Sequence, residues 1–242
     1  MGVVRLALQV CGWLIGIPLQ LLILTALLRG GYRRYPFLFL YILGDFFTTV
    51  ADIPASWAYI QGVHSTLGSI WWSGQVVSHL LVYAAVFSLL YRATDRQPGR
   101  RSFRIAIVIA AAAFAGGSLA IHVYAGAESW HAAWLRDLAF CAAILDLILW
   151  TFLIAKRSAD NQLLLLSSGL GVQFCGEAIG EALRQLAVHD RSRALSLTGA
   201  WVMVISYLLF LFIWWRALRT AEDPAGRRHK LPEIKAEQVR GQ

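Results

Sequence analysis

The sequence predicts an all-α polytopic membrane protein, a bundle of seven transmembrane helices, on three observations. Of the 242 residues 58% are apolar and 15% charged, where a typical soluble domain has about 45 to 50% and about 25%. Seven stretches are long and apolar enough to cross a hydrocarbon core about 30 Å thick at about 1.5 Å per residue. The basic residues collect in alternate connections between those stretches. Together these exclude a disordered chain and argue against a water-soluble fold.

The spans are read at 6–28, 36–57, 69–91, 103–124, 133–155, 162–186 and 196–217. The first is too long for a signal-peptide core, lacks a small-x-small cleavage site and runs into a second apolar stretch, so it is expected to be retained. The second carries Tyr41, Asp45, Thr48 and Asp52, which fall within an arc of about 60° at 100° per residue and form a polar stripe. The third holds Gln75, His79 and Tyr83 at i, i+4 and i+8. The fourth is rich in Ala and Gly. The fifth contributes Asp146, with Asp137 near its outer end. On the sixth, Gln173, Glu177, Glu181 and Arg184 share a face, beside Gly176 and Gly180. Those glycines make a GEAIG small-xxx-small pattern that lets a neighbouring helix, from this chain or a partner subunit, approach closely. The seventh offers Thr198, Ser206 and Tyr207. Beyond residue 218 the chain turns polar and basic, and 219–242 read as a flexible tail.

Seventeen of the 22 Lys and Arg residues follow spans one, three and five or lie in the tail, among them Arg29, Arg33, Arg34, Arg92, Arg96, Lys156 and Arg157. The remaining five are Arg5, Arg136, Arg184, Arg191 and Arg193. By the positive-inside rule the N-terminus lies outside and the C-terminus in the cytoplasm, across an inner or plasma membrane of bacterial type. The net charge of +8 is then a set of dispersed topology determinants and gives no reason to invoke nucleic acid. Cys11, Cys141 and Cys175 all fall within spans and read as small packing residues without a disulfide framework.

Spans one to three echo spans five to seven at an offset near 127 residues. LLILTALL from Leu21 faces LILWTFLI from Leu147, Arg29 faces Lys156, Gly44 faces Gly171, and VSHLL from Val77 faces ISYLL from Ile205. With the Ala- and Gly-rich fourth span as linker, this suggests a three-one-three repeat about an axis along the membrane normal. The layout is similar to that of seven-helix sugar transporters of the SWEET and PQ-loop type, although their Pro-Gln signature is absent.

A carboxylate at a helix centre costs about 2.5 to 3.5 kcal/mol on insertion scales, so intramembrane acids are functional candidates. Counting from the cytoplasmic boundary, Asp146, Tyr83 and Asp45 fall at about 10 to 14 Å, His79 near 18 Å, Glu177 near 21 Å, Asp52 and Gln75 near 24 Å and Glu181 near 27 Å. This ladder predicts a wet, acidic cavity open to the outer side, in which crowded carboxylates share protons. Its candidate ligand- or ion-binding residues are Asp45, Asp146, Glu177, His79, Tyr83, Gln75, Tyr41, Asp52, Glu181 and Arg184. The bland alternatives are an interfacial pair of Glu181 with Arg184, helix capping by Asp52 and Asp137, and a cross-bundle hydrogen bond from His79. His79 as a metal or haem ligand is a weaker reading because no second histidine is buried with it, and so is an outer metal site from His64, His122, His131 and His189, whose spacing matches no ligand pattern. No metal or cofactor is assigned. Trp71, Trp72, Trp130, Trp134, Trp214 and Trp215 sit near span ends as an aromatic belt, while Trp13, Trp150 and Trp201 lie deeper.

No Lys lies in the seventh span, which excludes a retinal Schiff base, and HExxH, GxSxG, P-loop and GxGxxG motifs are absent. Three functions remain: a proton- or cation-linked carrier of a small solute, a membrane enzyme using buried carboxylates as general acid and base on a lipid-soluble substrate such as an isoprenoid, and a sensor or subunit of a larger membrane complex. Size and helix count look like those of integral membrane terpene cyclases, without a matching motif. The partners expected are therefore the lipid bilayer, a small molecule or cation and, on the third reading, an oligomer or membrane-complex partner.

Overall fold

In the computed structural model the described residues are 2–60, 67–94, 100–124, 130–155 and 160–221. They form seven long helices: α1 (Gly2–Ala26), α2 (Pro36–Ile60), α3 (Leu67–Ala93), α4 (Arg100–Tyr124), α5 (Trp130–Ala155), α6 (Asn161–His189) and α7 (Arg193–Ala221). Each contains a segment long and apolar enough to cross a membrane. The expected basic tail beyond Ala221 lies outside the described residues, as do His64, Arg96, Lys156, Arg157 and the side chains of Gln75, Trp71, Trp72 and His131.

Local chemistry sets the helix ends. Between α1 and α2 the chain makes a π-helical turn, Leu27–Gly31, followed by one α turn, Tyr32–Arg34. Gly30 has φ +137° there, a backbone region closed to residues with a Cβ, so the change of direction depends on glycine. Asp160 caps α6 by accepting from Leu163 N at 3.2 Å. At the other end of α6, Arg191 takes φ +51° while Asp190 N and Ser192 N donate to Leu186 O and Ala187 O, the αL-type termination that turns the chain into α7. Pro18 and Pro54 sit inside α1 and α2, each leaving one carbonyl in the preceding turn without its usual helix donor.

Six helices close a ring in the order α1, α2, α3, α5, α6, α7, with α7 returning to α1, and α4 packs on α5 at its outside. The most extensive pairing is α6 with α7. Glycine makes that closeness available: a Cβ on Gly199 would stand 2.6 Å from the Gly180 carbonyl, and one on Gly169 would stand 2.7 Å from the Trp214 ring. Gly176 likewise sits directly against Ser206. The GEAIG pattern is thus occupied within the chain by α7 and is not free for a partner subunit.

The core is not spread evenly along the bundle. Its buried cluster runs through Ile23 and Leu27 on α1, Leu38 and Ile42 on α2, Leu89 on α3, Leu149 on α5, Leu166 on α6 and Phe210 and Trp214 on α7. All of these lie in the half of the bundle that ends at Arg34, Arg92 and Asp160. In a lipid environment such a plug is held by van der Waals packing more than by expulsion of water, which favours well-filled contacts like the 4.5 Å edge packing of Phe210 on Trp214.

Candidate functional site

Directly above this plug the helices present polar groups to one another. Gln20, six residues before the end of α1, is completely buried. Its Nε2 lies 2.8 Å from Asp45 Oδ2, 3.2 Å from Thr49 Oγ1 and 2.7 Å from Tyr207 Oη. Tyr207, from α7, donates its hydroxyl proton to the same Asp45 oxygen at 2.5 Å. Thr48 and Thr49 turn their hydroxyls back on the Asp45 carbonyl, at 2.9 and 2.8 Å, which fixes the α2 backbone one turn beyond the acid. Three helices therefore converge on one carboxylate, whose Oδ2 receives both donors.

A second strand of the network starts one turn away on α2. Tyr41 is 2% exposed, and its Oη lies 3.3 Å from the Gln173 carboxamide of α6. Gln173 Nε2 in turn donates to Glu177 Oε1 at 3.0 Å. His79 of α3 stands close enough to Glu177 for their charges to interact, and Glu177 and Asp52 do the same with Asp45. The floor of the cluster is aromatic: Tyr41 meets Trp214 edge-on at 5.8 Å, and Tyr207 lies 6.1 Å from Phe210.

Asp45 on one arm and Tyr41 and Glu177 on the other, three of the sequence candidates, are thus hydrogen-bonded across helices, with His79 and Asp52 in electrostatic range of them. The others lie elsewhere. Asp146 is 3% exposed on α5, where Ser167 Oγ of α6 donates to its Oδ1 at 2.7 Å and Gly171 leaves room for its Oδ2. Tyr83 faces α4 and α5, donating to the Ala111 carbonyl at 2.9 Å and lying 3.8 Å from Cys141 Sγ. Glu181 and Arg184 form an exposed pair at 3.3 Å within α6, a contact worth little in solvent. Gln75 is on α3, with its side chain outside the described residues. Asp137 ties α5 to α4 through Ser118 at 2.6 Å and His122, in the last turn of α4, at 2.9 Å. Among the described residues no cluster of three or more His, Cys, Asp or Glu is placed to hold a metal ion.

Gln20 and Thr49 were not among the sequence candidates, and Tyr207 was noted only as a polar residue of its span. Gln20 did carry a signal. From Val10 to Leu28 the hydrogen-bonding side chains other than Cys11 and Trp13 are Gln20 and Thr25, and an amide at membrane depth needs a partner as much as an acid does.

Seven helices of this length and hydropathy fit an integral membrane protein. No protein-family model, no curated protein and no solved structure matches the chain.

Proposed function

We propose that the protein is a proton- or cation-linked carrier of a small solute, with Asp45 and Glu177 as its ion-responsive groups. The observation that carries this reading is the convergence of Gln20, Asp45 and Tyr207 from three helices above an apolar plug. An intramembrane carboxylate held this way makes a change of charge felt simultaneously by α1, α2 and α7. With the arginine-rich end in the cytoplasm, as the positive-inside rule places it, the plug closes the inner side and the polar half faces outward.

The three-one-three repeat belongs to the same reading. Exchanging α1, α2 and α3 with α5, α6 and α7 leaves the order of neighbours around the ring unchanged. Thr25 and Thr151, equivalent at an offset of 126, both bond the carbonyl four residues earlier, that of Leu21 or Leu147. Gln20 maps on Asp146 at the same offset, and both reach across to the second helix of their own half. At an offset of 128, Tyr207 maps on His79: one touches the acid of α2, the other interacts with the acid of α6. Two halves of like fold around a shared site are a common basis for alternating access.

The test is proton movement in proteoliposomes carrying a trapped pH-sensitive dye, challenged in turn with sugars, amines, amino acids and alkali chlorides. Solute-dependent proton flux that is lost in Asp45→Asn and Glu177→Gln supports the carrier; flux equal in wild type and both variants overturns it. A second reading, a membrane enzyme on a lipid-soluble substrate, is favoured by the rings of Tyr41, Phe210 and Trp214 beside a carboxyl group, a setting able to stabilise positive charge developing on an isoprenoid. Product formation from isoprenoid diphosphates or polyenes, without solute-dependent flux, selects it.

A further inference from the structure

The geometry around Gln20 specifies which ion the site takes. This inference rests on the carrier reading and deepens it. We infer that the Asp45 site binds a proton and not a metal cation, and that the Gln20 carboxamide turns over when the proton arrives.

Three oxygens, Asp45 Oδ2, Thr49 Oγ1 and Tyr207 Oη, stand 2.7 to 3.2 Å from a single point, and that point is already filled by Gln20 Nε2. The amide hydrogens occupy the place a coordinated cation would need. Asp45 Oδ2 and Tyr207 Oη are 2.5 Å apart, the separation of a charge-assisted O–H···O bond. Neighbouring oxygens around a metal ion at about 2.0 to 2.1 Å in octahedral geometry stand about 2.9 Å apart or more. The pair is built to share hydrogen.

The second observation is the other end of the same amide. Gln20 Oε1 is the one buried side-chain polar atom without a hydrogen-bond partner among the described residues, although a buried carbonyl ordinarily has a donor. With Asp45 ionised, the orientation in the structure is the favourable one: Nε2 donates toward the carboxylate, and Tyr207 donates as well. When a proton binds Oδ2, that oxygen becomes a donor, and an N–H aimed at it loses its acceptor. Rotating the carboxamide by half a turn brings Oε1 to face Asp45 and Tyr207, where it accepts from the new Oδ2–H and from the phenol hydrogen released from Oδ2. The proton count closes: one proton enters, one O–H bond forms on Asp45, and the phenol keeps its own. In either state one end of the amide points toward the site and the other toward the side where Oε1 now has no partner, so the proton decides which end faces the carboxyl group.

The groups that face Asp45 and modulate this step come from every side. They are Tyr207 on α7, Glu177 on α6 and Tyr41 and Asp52 on its own helix, with His79 of α3 acting on Glu177; α1 supplies the uncharged Gln20.

Infrared difference spectroscopy of the full-length protein in liposomes, on a step from alkaline to acid pH, tests the inference without needing a transported solute. Glutamine labelled with isotope at the side-chain carbonyl identifies the amide band. The expected result is a protonated-carboxyl band that is missing in Asp45→Asn, accompanied by a shift of the labelled Gln band that is missing in Gln20→Leu and in Asp45→Asn. Wild-type protein alone already decides part of the matter: no carboxyl band across the titration, or a carboxyl band with a silent Gln band, overturns the inference. Tyr207→Phe, which keeps the ring, should alter both bands. Sodium, potassium and lithium chloride at constant pH should leave the spectrum unchanged, and an Asp45-dependent response to any of them overturns proton selectivity. If the bands behave as expected and no solute-dependent flux is found, the proton site stands and the carrier reading falls; flux lost in Asp45→Asn with a silent Gln band gives the reverse.

Discussion

Asp45 and Asp146 are the same residue type at similar depth in the same bundle, and their surroundings differ in kind. Asp45 is partly buried and receives Gln20 from α1 and Tyr207 from α7, with Glu177 of α6 near enough to act on it. Asp146 is almost completely buried, and its hydrogen bond comes from Ser167 of the adjacent helix. One carboxylate is a junction of three helices; the other fastens a pair. An acid inside a membrane is costly in both places, so cost alone does not separate a working site from a structural fastening. On the proposed carrier reading, the number of independent helices that depend on the charge does.

That contrast can be broken most directly with paired amide substitutions. Asp45→Asn should cut proton-linked uptake about 10- to 100-fold, because it removes charge-assisted hydrogen bonds worth about 1.5 to 3 kcal/mol, while Asp146→Asn should leave uptake within a factor of about two and appear in thermal stability instead. Equal loss of uptake in the two variants would erase the distinction. Next in size, Ser167→Ala strips Asp146 of its donor at the α5 to α6 contact and should lower stability by about 1 to 3 kcal/mol, read as a drop in melting temperature in detergent without change in proton flux. A flux defect in Ser167→Ala would draw Asp146 into the working site. Tyr207→Phe removes one of the two donors to Asp45 and should slow uptake about tenfold, the equivalent of about 1.4 kcal/mol, while leaving melting nearly unchanged. The smallest effect is expected of Gly171→Ala, whose new Cβ would meet Asp146 Oδ2 at 3.4 Å, an ordinary contact; a melting shift within about 0.5 kcal/mol fits the comparison, and a large one would mean that the Asp146 pocket is tighter than its counterpart.

The two regions were not equally legible beforehand. Helix periodicity alone places Tyr41, Asp45 and Asp52 on one face of α2, since side-chain direction along a helix follows from 100° per residue. The same reasoning puts Gln173 and Glu177 on one face of α6. It could not pair those faces with Gln20 and Tyr207, whose contacts with Asp45 span 25 and 162 residues of sequence. Nor could it separate Asp146 and Tyr83 from the ladder: estimated depth gave them the same level as Asp45, but depth is one coordinate, and rotation of α3 and α5 about their own axes turned Tyr83 toward α4 and α5 and Asp146 toward Ser167. The GEAIG pattern announced a close helix contact without naming the partner, and α7 proved to be that partner through Gly199 and Ser206.

By itself, then, the sequence determined seven apolar helices, the polar stripes they carry and the end of the bundle where arginine gathers, because insertion into hydrocarbon depends on local hydropathy and helical side-chain direction is a local property. Only the tertiary structure decided which stripes meet. Those meetings depend on the order of helices around the ring and on the rotation of each helix, and both are set by packing between residues far apart in the chain: glycine against glycine and serine where α6 crosses α7, and Gln20, Asp45 and Tyr207 where α1, α2 and α7 close over the apolar plug.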